Sequence, residues 1–221
     1  MTKNILLAGS SGLVGNLTLE KLILDSSINK IIIVARTSQN FNNPKIIEII
    51  TELDRLSDIN LLNYGIDRID SGLCALGSTI KKAGSQQAFK NIDYTLVLRV
   101  AEFAKRFGAE EFSVISALGA DRNSGIFYNK VKGEMEEGLK ALNFKLLTII
   151  RPSLLLGERK EKRVAEKIFI KLSPLLNKTL FGPLKKYRGI EAHKVATILA
   201  QSIKSQDCGV TVIENSQMLD I

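Results

Sequence analysis

The chain has few of the residues from which metal centres and disulfide frameworks are built. Among its 221 residues there are two cysteines, Cys74 and Cys208, and a single histidine, His193. The cysteines have neither metal-ligand nor disulfide spacing, so we expect no metal site and no covalent framework. We expect Cys74 to be a small buried residue rather than a redox group, and His193 to have a structural or surface role.

Proline and long apolar runs are scarce as well. There are four prolines, and no linker rich in proline, glycine or serine divides the chain, which predicts one domain over residues 1–221. No apolar run approaches the roughly 18 residues of a membrane-spanning helix. Residues 1–4 lead directly into an apolar strand pattern, so we expect no signal peptide and a cytoplasmic location.

The positive charge is scattered along the chain. The 31 lysines and arginines against 23 aspartates and glutamates give a net charge of +8, with dense clusters only at residues 159–163 and 185–188. Aromatic residues make up 6% and are not interleaved with these clusters, so we expect no nucleic-acid partner. The charge suits solvated faces and the steering of an anionic cofactor or substrate. The cluster around Arg159 and Arg163 fits either an anionic substrate or a solvated helix start.

Apolar strand patterns alternate with helical patterns from one end of the chain to the other. Strands are predicted at residues 5–8, 30–35, 46–50, 71–76, 111–116, 144–150 and 210–213, and helices directly after the first strand and at residues 92–107, 128–142 and 190–202. Such alternation is typical of the α/β class, and we predict a doubly wound parallel sheet.

Three spaced glycines follow the first strand and open the first helix. The segment is Gly9-Ser10-Ser11-Gly12-Leu13-Val14-Gly15. Gly9 allows a tight turn, Gly12 lets the backbone approach phosphates, and Gly15 permits close packing of helix on strand. The helix N-terminus then faces the negative charge. The strand–glycine–helix context favours a dinucleotide pyrophosphate site over a glycine turn without a ligand.

The end of the second strand bears on the choice of cofactor. Arg36 follows that strand directly, and no aspartate or glutamate occurs from Ile31 to Phe41. NAD sites use an acidic residue here for the ribose hydroxyls, whereas an arginine accommodates the 2′-phosphate of NADP. Arg36 is therefore a candidate phosphate clamp, or else a solvated arginine at a strand end. NADP(H) is favoured over NAD(H).

Tyr128 and Lys132 carry the candidate chemistry. They lie four residues apart in a predicted helix and so project from the same face. A neighbouring ammonium group makes a phenol more acidic, and such a phenol can exchange a proton with a substrate carbonyl or alcohol as hydride moves. Lys132 can also hold the nicotinamide-ribose hydroxyls. The alternative is an ordinary amphipathic surface helix.

A hydroxyl group is expected nearby to hold the substrate oxygen. Ser116 ends the fifth predicted strand, at the carboxyl edge where open α/β sheets bind ligands. Ser116 is therefore the candidate substrate-orienting donor, against the alternative of a serine that merely ends a strand.

These motifs together resemble those of the atypical short-chain dehydrogenases/reductases. The segments Ser116–Asp121 and Tyr128-x-x-x-Lys132-Gly133-Glu134 are most similar to the Tat-interacting-protein branch, an oxidoreductase-like group that binds NADP(H). The resemblance covers essentially the whole chain and implies a Rossmann fold. It also implies a substrate side built from the region after Pro152, about residues 152–221, and a closing segment at residues 212–215.

The resemblance assigns further cofactor contacts residue by residue. It places Leu76, Gly77, Ser78 and Thr79 in the loop that borders the cofactor, and Pro152 beside the nicotinamide carboxamide. Leu53 lies where relatives contact adenine.

The chain departs from the family pattern at two positions. Ala117 stands where many relatives have a second serine or threonine. The asparagine of the usual catalytic tetrad could correspond to Asn91 or to Asp93, and the sequence does not decide between them.

Two functions of different classes remain open. The first is an oxidoreductase that transfers hydride to or from a small carbonyl or alcohol substrate with a Ser116–Tyr128–Lys132 site. The second is a cofactor-bound sensor or scaffold that binds a protein partner and has little turnover. The intact Tyr128–Lys132 pair favours the enzyme, and Ala117 favours the scaffold.

Overall fold

Nine β-strands are found in the computed structural model, which describes residues 2–157, 182–205 and 207–220. In chain order they are β1 (Lys3–Ala8), β2 (Ile28–Ala35), β3 (Ile46–Ile50), β4 (Ser71–Cys74), β5 (Glu111–Ile115), β6 (Leu146–Arg151), β7 (Leu155–Leu156), β8 (Ile190–Glu191) and β9 (Gly209–Glu214). Seven of them form one sheet in the order β3-β2-β1-β4-β5-β6-β9, and every neighbouring pair is parallel. The chain order changes direction beside β1, which opens a crevice outside the carboxyl ends of β1 and β4.

Helices connect the strands and cover both faces of the sheet. They are α1 (Leu13–Leu24), α2 (Ile80–Ala83), α3 (Gln86–Lys90), α4 (Leu96–Arg106), α5 (Phe127–Ala141), α6 (Ala192–Gln201) and α7 (Asn215–Met218), with 3₁₀ turns at Leu53–Asp58, Leu61–Tyr64, Gly182–Tyr187 and Ser202–Lys204 and a π turn at Asn91–Thr95. Among the described residues, no helix is both long and apolar enough to cross a membrane.

The core lies in two layers, one on each face of the sheet. In β1, Leu6 and Ala8 pack on the face covered by α4 and α5, whereas Ile5 and Leu7 pack on the face covered by α1 and α6. All four side chains are fully buried. Because both faces are covered, a central strand of this sheet is apolar throughout and does not alternate. The predicted α/β architecture with a doubly wound parallel sheet is confirmed.

Two local predictions differ from the structure. The helix predicted over residues 92–107 is interrupted, because a π turn at Asn91–Thr95 precedes α4. The predicted helix at residues 190–202 begins two residues later, since Ile190 and Glu191 pair with Leu155 and Leu156 as β8 and β7. Long-range pairing overrides local helix preference in that segment.

The close approach of α1 to the turn after β1 gives a test of the fold. A Cβ atom on Gly15 would lie 2.0 Å from the carbonyl oxygen of Gly9, a backbone atom that cannot move aside easily. We expect Gly15→Ala to lower the free energy of unfolding by about 1–3 kcal/mol in urea titrations. Gly125→Ala is the matched control, because nothing lies within 4 Å of its Cβ position. Equal stability of the two variants would contradict this packing.

Candidate functional site

The turn between β1 and α1 forms a cradle that only glycine permits. Gly9 has φ +86°, and a Cβ there would lie 2.7 Å from the backbone of Ala75 in the loop after β4. Gly12 caps α1 without a side-chain hydrogen bond, and the first turn of α1 carries no acidic residue. The helix N-terminus therefore presents backbone N–H groups and positive dipole to the crevice. This cradle fits the pyrophosphate of a dinucleotide.

The other residues of the glycine segment divide between surface and core. Ser11 is exposed and Ser10 is buried, with the Ser10 hydroxyl oxygen accepting a hydrogen bond from Gln39 Nε2 at 2.6 Å. Val14 packs in the core, and Leu13 lies against Gly157. The exposed part of the turn is thus the part that a phosphate can reach.

At the end of β2, Arg36 is exposed. Its guanidinium forms no ion pair or hydrogen bond with any residue in the described ranges. Sequence reasoning missed that the following residues, Ser38 and Gln39, are bound by Glu48 on β3.

Lys132 on α5 is buried beside the loop that follows β4. Its Nζ lies 2.7 Å from Asp93 Oδ1, and the two side chains are 3% and 1% exposed. The second Asp93 oxygen accepts a hydrogen bond from the Ser78 backbone N–H at 2.8 Å. A Cβ on Gly77 would lie 3.4 Å from Asp93 Oδ1 and 3.9 Å from Lys132 Nζ. The predicted cofactor loop therefore contacts this ion pair directly.

The charge of Lys132 is set by its neighbours. Burial alone lowers the pKa of Lys132, but the Asp93 carboxylate, the negative charge that Tyr128 carries when ionised and the hydrogen bond to Asp93 outweigh burial and raise it. Lys132 is consequently a cation at neutral pH.

The choice that the sequence left open between Asn91 and Asp93 is resolved for the contact with Lys132. Asp93 makes that contact, whereas Asn91 is exposed. The signal was present in the sequence, because Asp93 stands four and seven residues before the apolar positions Val97 and Val100. An acidic residue in register with an apolar helix face needs a buried partner.

Tyr128 is half-buried one turn before Lys132. Its ring packs on the fully buried Phe89 of α3, with 5.4 Å between ring centroids and an interplanar angle of 34°. Phe89 also packs on Phe127 at 6.1 Å. The short helix α3 therefore fixes where the tyrosine ring lies.

Ser116 lies directly after β5, and its hydroxyl is engaged by Glu136. The Ser116 Oγ donates a hydrogen bond to Glu136 Oε1, and both side chains are buried. Glu136 is one further turn along α5 from Lys132, so it lies about 12 Å along the helix from Tyr128. Among the described residues no hydrogen bond joins Ser116 to Tyr128. The structure thus brings Lys132 to the loop after β4 and Ser116 to Glu136.

Glu136 belongs to a larger ionic network that the sequence analysis did not identify. Arg151, at the end of β6, donates from Nε to Glu136 Oε1 at 3.0 Å and from Nη2 to Glu136 Oε2 at 2.5 Å. Arg151 Nη1 lies 2.9 Å from Glu214 Oε1 at the end of β9. The hydrogen bonding of Arg151 to the Glu136 carboxylate is the largest cause that raises the pKa of Arg151. The sequence held one signal for Glu136: Tyr128, Lys132 and Glu136 are spaced four residues apart, which places all three on the same face of the helix.

The remaining predicted cofactor contacts lie around the crevice, apart from Leu53. Pro152 is buried, and its carbonyl accepts from Leu118 N at 2.8 Å. Leu76 is half-buried, and Thr79 caps α2 by accepting from Lys82 N. Leu53 packs in the core against the α4 face. The basic cluster around Arg159 and Arg163 lies outside the described residues.

One asparagine ties together the two ends of the segment beyond Pro152. Asn215 is fully buried, and its Oδ1 accepts from Ser153 N at 3.0 Å. Its Nδ2 donates to the carbonyls of Lys186 and Arg188 at 3.0 and 2.8 Å. The substrate side predicted after Pro152 is thereby anchored to the end of β9.

Other chemistry-bearing side chains have structural explanations. Burial raises the pKa of the Cys74 thiol to about 12, which keeps it protonated and unreactive. His193 is exposed, with Nδ1 3.0 Å from Glu191 Oε2. Within the part of the chain that the structure describes, no group of three or more potential metal ligands exists.

Comparison with curated proteins identifies relatives along the whole chain. No protein-family model matches the sequence. The chain is 31% identical to Protein HTATIP2 of Rattus norvegicus over 164 residues, 74% of this chain and 67% of that protein. It is 32% identical to "Protein FMP52, mitochondrial" of Eremothecium gossypii over 222 residues, 99% of this chain and 96% of that protein.

Solved structures share the fold at low sequence identity. "MoeE5 in complex with UDP-glucose and NAD" superposes with a TM-score of 0.68 and 15% identity, covering 95% of this chain and 74% of that chain. A short chain dehydrogenase family protein from Francisella tularensis has a TM-score of 0.65 and 14% identity, covering 99% and 100%.

The predicted cytoplasmic location is wrong on this comparison. The FMP52 relatives, from Meyerozyma guilliermondii and Eremothecium gossypii among others, are named mitochondrial. The pattern of residues 1–4 and the absence of long apolar runs, on which the prediction rested, do not distinguish the cytosol from other compartments.

The glycine cradle, the parallel sheet and the relatives at 31–32% identity over most of the chain agree with one another. The chain belongs to the protein family that includes HTATIP2 and FMP52, and it has the Rossmann-type α/β fold that its structural neighbours share.

Proposed function

We propose that the protein is an NADP(H)-dependent oxidoreductase that transfers hydride to or from a small carbonyl or alcohol substrate. The observation that carries this proposal is the buried cation of Lys132, which lies beside the cofactor loop and one helical turn from Tyr128. A buried ammonium group destabilises the fold unless a counter-charge lies beside it. Buried charges of this kind cluster at functional sites.

Each residue of the site has a chemical role. The nicotinamide cofactor, when bound, supplies or accepts the hydride. Tyr128 gives its phenol proton to the substrate oxygen in reduction and takes it back in oxidation. Lys132 stabilises the phenolate of Tyr128 and offers its remaining N–H groups to the ribose hydroxyls. Asp93 keeps Lys132 cationic and in place.

Cofactor binding is assigned to the glycine segment, Arg36, the loop after β4 and Pro152. The residues are Gly9, Ser10, Ser11, Gly12, Leu13, Val14, Gly15, Arg36, Leu76, Gly77, Ser78, Thr79, Tyr128, Lys132 and Pro152, whereas Leu53, also predicted to bind the cofactor, packs in the core. The exposed Arg36 without a partner in the described ranges, together with the lack of acidic residues from Ile31 to Phe41, supports NADP(H) over NAD(H).

The substrate side is assigned to residues 152–221 of what we take to be a single domain. Ser116 is proposed to orient the substrate oxygen, which requires its hydroxyl to turn away from Glu136. A small anionic substrate suits the net charge of +8, because a positive protein attracts negatively charged ligands.

The second candidate function is an NADPH-binding sensor or scaffold with a protein partner. Two observations favour it. The Ser116 proton is held by Glu136, and Ala117 offers no hydroxyl in its place. The experiments on Tyr128 distinguish this function from catalysis.

Removal of the phenol hydroxyl tests catalysis. In a screen of aldehydes, ketones and quinones with NADPH, we expect Tyr128→Phe to lower turnover by about a hundredfold or more, because the proton donor is lost. Calorimetry should show cofactor affinity nearly unchanged. Tyr64→Phe, which alters a partly exposed tyrosine in the Leu61–Tyr64 turn, is the control. Full turnover by Tyr128→Phe would show that Tyr128 is not the proton donor, whereas a wild type that oxidises NADPH with none of these substrates would leave the sensor or scaffold function.

Removal of the guanidinium tests the choice of cofactor. We expect Arg36→Ala to weaken NADPH binding by about thirtyfold, or about 2 kcal/mol, because a charge-assisted contact to the 2′-phosphate is lost. NADH binding should change little. Lys140→Ala removes the same charge at the far end of α5 and serves as the control. Equal weakening of both cofactors by Arg36→Ala in calorimetry would overturn the NADP(H) assignment.

Neutralising Asp93 tests the buried pair. We expect Asp93→Asn to lower the free energy of unfolding by about 3–5 kcal/mol, because Lys132 is left as an unpaired buried cation. Since the folded-state pKa of Lys132 is raised, the stabilisation is present below its unfolded pKa of about 10.4 and is lost as pH rises through the folded value. Urea titrations across this range should show the loss in the wild type but not in Asp93→Asn. The double variant Asp93→Asn/Lys132→Met should recover stability, and a single variant as stable as wild type would contradict the pairing.

A further inference from the structure

A carboxylate on the edge strand β3 holds the loop that follows β2. Glu48 Oε1 accepts from the Gln39 backbone N–H at 2.8 Å, and Oε2 accepts from Ser38 Oγ at 2.8 Å. The Asn40 backbone N–H donates to Ser38 Oγ at 3.0 Å, so Asn40 is linked to Glu48 through the Ser38 hydroxyl. Partial burial raises the pKa of Glu48, but these hydrogen bonds outweigh burial and lower it, so Glu48 is ionised at neutral pH.

The loop turns back on the Glu48 carboxylate through Asn40, which has φ +53°. The Gln39 N–H donates to Glu48 directly, and the Asn40 N–H is linked to it through the Ser38 hydroxyl. The Glu48 carboxylate is therefore engaged by the chain itself before any ligand binds.

The same loop is attached to the pyrophosphate cradle. Gln39 Nε2 donates to Ser10 Oγ at 2.6 Å, and Ser10 is 2% exposed. Glu48 and Ser10 therefore hold Gln39 from opposite sides, through its backbone and through its side chain.

Arg36 lies just before this anchored stretch and has no ion-pair or hydrogen-bond partner among the residues that the structure describes. The end of β2 is fixed by the hydrogen bond from Thr51 N to Ala35 O at 2.9 Å. Arg36 and Thr37 are exposed, and Glu48 makes no ion pair with Arg36. The carboxylate that could have neutralised the arginine is instead engaged by the Ser38 hydroxyl and the Gln39 backbone N–H.

We propose that Glu48 is a positioning residue for cofactor selection. It fixes residues 38–41 between β3 and the glycine turn, and so presents Arg36 unpaired to the 2′-phosphate of NADP(H). This inference rests on the proposed function and extends it to a residue outside the cofactor contacts. Its energetic basis is preorganisation, because the loop is ordered before the cofactor arrives.

The test compares Glu48→Gln with Glu20→Gln, which alters an exposed glutamate on α1. An amide keeps the shape of the side chain but cannot accept from every donor of the loop. We expect Glu48→Gln to weaken NADPH by about tenfold in calorimetry and NADH by no more than about twofold, which lowers the NADPH-to-NADH selectivity. Amide hydrogen exchange at residues 39–41 should be faster in free Glu48→Gln and unchanged in Glu20→Gln. A global loss of stability would weaken both cofactors alike and leave the ratio unchanged.

Three results would overturn the inference, and they separate it from the proposed function. If wild type prefers NADPH and Glu48→Gln keeps the same selectivity, Glu48 has no part in selection, while the NADP(H) assignment stands. If Glu48→Gln binds NADPH more tightly than wild type, Glu48 repels the phosphate and the proposed role has the wrong sign. If wild type shows no preference and Arg36→Ala weakens both cofactors equally, the NADP(H) assignment and the role of Glu48 fail together.

Discussion

The ion pair between Asp93 and Lys132 is the constraint on which the candidate site depends. A cation that is 3% exposed persists only beside a counter-charge, and Asp93 supplies it at 2.7 Å. The same carboxylate accepts the Ser78 N–H, so one side chain joins α5 to the loop after β4. The position of Lys132 and the shape of the loop after β4 therefore depend on each other.

Three polar side chains lie on one face of α5, and each contacts a different element of the fold. Tyr128 packs on Phe89 of α3, Lys132 pairs with Asp93 in the π turn, and Glu136 binds Arg151 of β6. The helix is thus fixed by specific polar contacts as well as by its apolar residues. Because Ser116 donates to the last of these side chains, its hydroxyl is part of the scaffold in this structure.

The crevice is assembled from chain segments that are distant in sequence. Gly9 lies against Ala75, Ser10 is joined to Gln39, and Gly157 lies against Leu13. Parallel strands bring these loops together because their carboxyl ends share one edge of the sheet. Asn215 then fixes the chain on both sides of the segment beyond Pro152.

The sequence by itself determined the parallel sheet, the glycine turn and the one-turn spacing of Tyr128 and Lys132. These features follow from local patterns: continuous apolar strands, glycine where a Cβ would clash, and helical periodicity. Only the tertiary structure decided that Asp93 rather than Asn91 meets Lys132, that Ser116 is held by Glu136, and that Glu48 binds the loop after β2. Each of these contacts joins side chains from separate elements. A buried polar group needs a partner, and which group becomes that partner depends on how the fold brings the elements together and not on the neighbouring residues in the chain.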